Sequence, residues 1–145
     1  LRGVNNRAGE IGMLLSNNGG QLKTMHEIAS TSALIYSYNL KLNKKETDAR
    51  KILDEYTKND KVRKIVDEWA FEVAVFVFNV SSMLNPEKIL IGGGISENPI
   101  LIELIRKSLN SIPLWSDFSC EVEVCKHRNN AGIIGAYFNA LNLGL

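Results

Sequence analysis

Between Asp60 and Leu84, apolar residues recur at three- and four-residue steps: Val62, Ile65, Val66, Trp69, Val73, Phe76, Val77, Val80 and Leu84. A period near 3.6 gathers them on one stripe, which predicts a long helix over 60–84. From Ala70 the segment is apolar on nearly every face, so its second half is expected to be deeply buried. Trp69 and the phenylalanines read as core. Asn85-Pro86 stops the helix, because a residue before proline is pushed out of the right-handed helical region. Ile28, Ala29, Ala33, Leu34 and Tyr36 predict a helix from about Thr24 to about Tyr38. Ala49, Ile52, Leu53 and Tyr56 form the inner stripe of a charged helix expected from Asn43 to Lys58, its Lys and Glu residues on a solvated face. Leu101, Leu104, Ile105 and Leu109 predict a helix from Pro99 to about Ser111. Ile133, Ile134, Tyr137, Phe138 and Leu141 make the apolar stripe of a last helix entered through Asn129-Asn130-Ala131-Gly132.

Strand patterns are scarcer. Lys88-Ile89-Leu90-Ile91 is a short run of β-formers that ends in Gly92, Gly93 and Gly94, then meets a helix start carrying Ser96, Asn98 and Pro99. Phe118 to His127 alternates, with Phe118, Cys120, Val122 and Val124 on one face. Residues 1–14 read as a strand end and loop, with Gly3, Gly9 and Gly12 around a single acid, Glu10. Ser16-Asn17-Asn18-Gly19-Gly20 is turn chemistry. From residue 60 the order is helix, strand, helix, strand, helix, which implies an α/β fold with a parallel crossover and helices covering a sheet. Two strands alone make no stable sheet. Further strands are therefore expected from residues 1–14 and from chain upstream of Leu1. The opening Leu1-Arg2-Gly3-Val4, without an initiator Met, suggests a fragment or cleaved half of something longer.

At 145 residues the chain fits one domain with a real core. A net charge of +1 argues against a nucleic-acid footprint. No stretch is apolar for long enough to span a membrane, and no signal peptide opens the chain. Cys120 and Cys125 lie five apart in one expected strand, on opposite faces, so free thiols in a reducing cytosol are expected, and no metal-ligand spacing is present.

Chemistry concentrates at the glycine turn. Positions without side chains at the carboxyl end of a buried strand let a nucleotide or phosphate reach the main chain. The plainer alternative is a tight turn that uses glycine for positive φ. His26 and Glu27 fall in the first turn of a helix, where Glu27 complements the helix dipole.

Four blocks taken together resemble the ROK family of bacterial sugar kinases and sugar-responsive repressors. They are Ala8-Gly9-Glu10-Ile11-Gly12, Ala29-Ser30-Thr31-Ser32-Ala33-Leu34, Asn85-Pro86-Glu87-Lys88-Ile89-Leu90-Ile91-Gly92-Gly93-Gly94-Ile95-Ser96 and Asn130-Ala131-Gly132-Ile133-Ile134-Gly135-Ala136. They stand in family order and match its carboxyl-terminal half. The resemblance implies the carboxyl-terminal lobe of an actin-like ATPase (ribonuclease H-like) fold over residues 1–145, helix-rich, with an incomplete sheet and the amino-terminal lobe absent. It implies that Glu10 accepts hydrogen bonds from sugar hydroxyls, a task suited to a carboxylate. A second sugar contact falls on His26 in an ungapped reading, or on Glu27 with a one-residue shift. Gly92, Gly93, Gly94 and Ile95 match the family's adenosine-side turn. Asn130, Ala131 and Gly132 match the segment opening its last helix, where close helix packing is the other explanation.

The family's zinc-loop cysteines are missing near Asn17 to Thr24, and Met13 stands at its histidine position. No metal is expected, as in the zinc-free branch resembling β-glucoside kinase-like proteins. The amino-terminal phosphate loop, the catalytic Asn-Asp pair and the second phosphate-binding turn are also missing. Asp48, Asp54, Asp60, Asp67 and Asp117 read as surface, so no catalytic residue is assigned. The expectation is the nucleotide- and sugar-contacting half of an ATP-dependent sugar kinase, inactive alone, using ATP with Mg2+ in the intact protein. A homodimer is expected in the cytoplasm, with no direct nucleic-acid contact from this half and no membrane contact. The alternatives are the effector-binding half of a repressor, or a dimerisation module.

Overall fold

The computed structural model describes residues 3–142. Its spine is helix α4 (Asp60–Leu84), which has the predicted bounds, begins at an Asn59 side chain accepting from the Lys61 amide, and ends with Asn85 in the left-handed conformation. Val62, Ile65, Val66, Trp69, Val73 and Val77 are buried along the predicted stripe. Its second half departs from expectation: Phe71, Met83 and Leu84 are exposed.

The segment read as one helix from Thr24 is two, α1 (Met25–Ala29) and α2 (Thr31–Leu42). Ser30 adopts an extended backbone between them, and its hydroxyl accepts from the Ala33 amide to cap α2. The Ser30 carbonyl, which accepts from the Ala33 and Leu34 amides at the start of α2, also accepts from the buried Trp69 indole N–H at 2.9 Å. Helix α1 opens on a reciprocal cap: Thr24 Oγ1 accepts from the Glu27 amide, and Glu27 Oε2 accepts from the Thr24 amide and hydroxyl at 2.8 and 2.7 Å.

The charged helix expected over 43–58 shrinks to α3 (Ala49–Asp54), which still buries Ala49, Ile52 and Leu53. Asn43, in the left-handed conformation, terminates α2, and Asn39 holds the following chain extended by exchanging two 2.8 Å bonds with the Glu46 main chain. Side-chain competition for backbone groups thus removes the first half of the helix.

Residues 4–6 and 11–13 form 3-10 turns instead of the expected strand. Beyond them lies an unpredicted hairpin, β1 (Leu15–Asn18) against β2 (Gln21–Thr24), antiparallel with Leu15 opposite Thr24. Gly19 and Gly20 both have positive φ, the geometry a two-residue hairpin turn requires. The second sheet pairs β3 (Lys88–Ile91) with β4 (Glu121–Val124) in parallel, through α5 (Ile100–Leu109) and the short α6 (Trp115–Phe118). The strand expected from Phe118 begins three residues later. Phe118 belongs to α6, its ring edge-on to Phe78 with centroids 5.8 Å apart. Arg106 of α5 donates from Nε and Nη2 to the Val122 carbonyl, occupying an acceptor of β4. The fold is thus helix-rich α/β with two small, incomplete sheets.

Helix α7 (Ala131–Asn142) has the predicted stripe but not its burial: Ile133, Tyr137, Phe138 and Leu141 are 53–74% exposed. Its packing is largely against the short turn at residues 128–130 that precedes it. Cys120 and Cys125 are free thiols, each half-buried.

Two outcomes test these packing and capping arguments. Ile105 is wholly buried, so Ile105→Ala should destabilise the protein by about 2–5 kcal/mol, read from urea midpoints at unchanged slope. The Glu27 carboxyl is held below the usual carboxylate range, first by the Thr24 amide and then by its hydroxyl. A depressed carboxyl stabilises fully above its unfolded value and loses that contribution as pH falls through its folded value. The stability gap between the protein and Glu27→Gln should therefore narrow between pH 7 and about pH 3.

Candidate functional site

Two regions carry the residues singled out by sequence. The first is the glycine turn. Strand β3 delivers Gly92 to solvent. Gly93 follows with φ near +90°, and residues Gly94–Glu97 wind into a 3-10 turn. A β-carbon added to Gly93 or to Gly94 would meet nothing within 4 Å, so the space before the turn is open. The Ile95 side chain instead enters the core at 7% exposure, which leaves only its main chain for any ligand. Ser96, almost fully buried, closes the turn by donating Oγ to the Gly93 carbonyl at 2.7 Å. The turn at Arg128–Asn130, which leads into Ala131 and Gly132 at the start of α7, packs beside Gly94–Glu97. Two sequence blocks some 35 residues apart are thus neighbours in space. A β-carbon on Gly132 would also meet nothing within 4 Å, so the space beside it is open too.

The second region surrounds Glu10. Glu10 ends the loop before the Ile11–Met13 turn and lines an open cavity of about 560 Å3 with Arg7 and Met13. Helix α1 packs against that turn. His26 approaches it: a β-carbon on Gly12 would lie 3.9 Å from His26 Cβ. Glu27, one residue on, has its carboxylate engaged by Thr24 and lines a different groove, with Lys23, Tyr36, Lys41 and Glu72. Sequence reasoning passed over Arg7, whose only signal was a cation three residues before the acid.

The aspartates read as surface all have simple partners or positions. Asp48 and Asp60 pair with Arg50 and Arg63, Asp54 accepts from Asn98, Asp67 accepts from the Tyr56 hydroxyl at 2.8 Å, and Asp117 lies in α6. Residues 17–24, where the family's zinc loop was sought, belong to the hairpin and to the cap of α1. Among the described residues no three His, Cys, Asp or Glu side chains gather as a metal site, and no helix is long and apolar enough to cross a membrane.

Comparison with known proteins bears on the fold and the family. The chain is 26% identical to a β-glucoside kinase of Listeria innocua over 97% of its own length and 49% of that protein. Its fold superposes on a ROK family protein from Streptococcus pneumoniae, solved in complex with sucrose, with TM-score 0.86 and 23% identity over 99% of this chain and 52% of that one. A ROK family glucokinase from Streptomyces griseus, solved with glucose and AMPPNP, gives TM-score 0.78 and 20% identity over 94% and 52%. The chain spans about half the length of the relatives it matches. The ROK family model matches residues 1–142, and the chain belongs to the ROK family.

Proposed function

We propose that this chain is the nucleotide- and sugar-contacting half of an ATP-dependent sugar kinase acting on a hexose or glucoside, and that it transfers no phosphate alone. The observation that carries the reading is the open glycine turn at the end of β3, beside the entry to α7. A main-chain seat without side chains suits the adenosine side of ATP, with Gly92, Gly93, Gly94 and the Ile95 backbone on one flank and Asn130, Ala131 and Gly132 on the other. Glu10 would hold sugar hydroxyls by charge-assisted hydrogen bonds. Of the two candidates beside it, His26 faces the Glu10 turn, while Glu27 is committed to capping α1. We therefore assign the second sugar contact to His26. ATP would bring Mg2+ on its phosphates, and the general base would come from the amino-terminal lobe of the same protein. Closure of the two lobes would exclude water from the transfer.

The names of relatives support this reading: a β-glucoside kinase, N-acetylmannosamine kinases of Haemophilus influenzae, and a glucokinase solved with a sugar and an ATP analogue together. A repressor's effector-binding half would use the Glu10 cavity but would leave the open glycine turn without a task. Homodimer formation and a cytoplasmic setting complete the proposal.

Gly94 is the sharper steric probe of the seat, since it lies outside the positive-φ region that would strain a side chain at Gly93. In the full-length protein, Gly94→Val should weaken AMPPNP binding at least about tenfold by calorimetry while leaving the fold intact. An unchanged affinity would remove the turn from the site. Glu10→Gln should weaken sugar binding by about 1–3 kcal/mol, and an unaltered sugar affinity would reassign that cavity.

A further inference from the structure

The reading above leaves the charged residues behind the glycine turn without a role. Arg50, in the first turn of α3, donates from Nη1 to Glu97 Oε2 at 2.9 Å, and Glu97 is the last residue of the 3-10 turn. The same guanidinium donates from Nε and Nη2 to Asp48 at 2.8–3.1 Å. At the other end of α3, Asp54 Oδ1 accepts from Asn98 Nδ2 at 2.9 Å, and Asn98 Oδ1 accepts from the Ile100 amide at the start of α5. Helix α3 is itself anchored, with Ala49, Ile52 and Leu53 buried in the core. The turn is therefore tied from behind to a fixed element at Glu97 and Asn98, while Gly92 and Gly93 in front remain exposed.

We propose that Arg50 and Glu97 are a positioning pair that sets nucleotide affinity without touching the nucleotide. The inference rests on the kinase reading above and deepens it. Three consecutive glycines have more conformational freedom than any other tripeptide, and a ligand that orders them loses affinity accordingly. Of the four residues in the 3-10 turn, only Ile95 and Ser96 are buried, so packing fixes one side of it and leaves Glu97 at the rim. An isolated exposed ion pair contributes little to stability. A guanidinium that grips two carboxylates through three of its nitrogens differs in kind: its plane is fixed, so it fixes the direction of Glu97 and hence the path of the turn. Arg50 holds the Asp48 carboxyl down at about 2, so the grip persists throughout the neutral range. Lysine, with one rotating ammonium, cannot span both carboxylates with the same geometry.

The test uses the full-length protein with Arg50→Ala, Arg50→Lys and Glu97→Ala, reading AMPPNP affinity by calorimetry, urea midpoints, and hydrogen exchange at the amides of residues 95–98. All three variants should raise the AMPPNP dissociation constant about five- to tenfold and quicken exchange at those amides, with urea midpoints unchanged. The Arg50→Ala/Glu97→Ala double variant should be no weaker than either single one, because both remove one interaction. If Arg50→Ala does not fold, Glu97→Ala breaks the same contact without disturbing α3 and decides the matter. Affinity equal to that of the parent protein, or a loss that only accompanies a fall in the urea midpoint, overturns the positioning role and leaves the kinase reading standing. A parent protein that binds no AMPPNP overturns both.

Discussion

Everything in this molecule depends on burying the stripe of α4. Helices α1, α2 and α5 pack directly on it, and the core that results joins Leu34, Ile52, Val62, Val66, Trp69 and Ile105 into one apolar cluster. Neither small sheet could persist alone, since two strands bury too little surface. The β3–β4 pair survives because Ile89, Ile91 and Val122 lie against that cluster. On the sheet's other face Lys88 bridges Glu121 and Glu123 at 2.9 and 2.8 Å. The position of the glycine turn is thus inherited from α4 through β3.

How much of this was legible in the sequence follows from how local each cause is. Helices α4 and α5 could be read directly because an uninterrupted stripe, a cap and a stop all agree. The break at Ser30 could not, because periodicity does not show where a serine caps a new helix, nor that the Trp69 indole reaches its carbonyl from 39 residues away. The missing first half of the 43–58 helix turns on Asn39 and Glu46, whose side chains compete for backbone groups that periodicity assumes are helical. The hairpin was half visible: Gly19-Gly20 was recognised as a turn, but Leu15–Asn18 and Gln21–Thr24 carry too few apolar residues to read as strands.

The candidate site divides in the same way. Its glycines and Glu10 stand out because an unusual residue type at an element boundary is itself a signal. Adjacency of the Gly94–Glu97 turn to Arg128–Asn130 is a fact of tertiary packing and leaves no local trace. Arg50 was equally hidden, since an arginine in a charged stretch has no sequence feature that distinguishes a surface charge from a clamp. The capping bonds between Thr24 and Glu27 are likewise visible only in the coordinates.

The bare apolar face of α7 is a surface that water disfavours. Ile133, Tyr137, Phe138 and Leu141 stand in water on a helix without a single charged residue. Separate copies can hide such a face only by meeting one another, which favours self-association as the solution becomes more concentrated. A matching surface tethered within one longer polypeptide would cover it at a fixed, high effective concentration, whatever the dilution. The same twelve residues are thus a liability in isolation and a fastening in company.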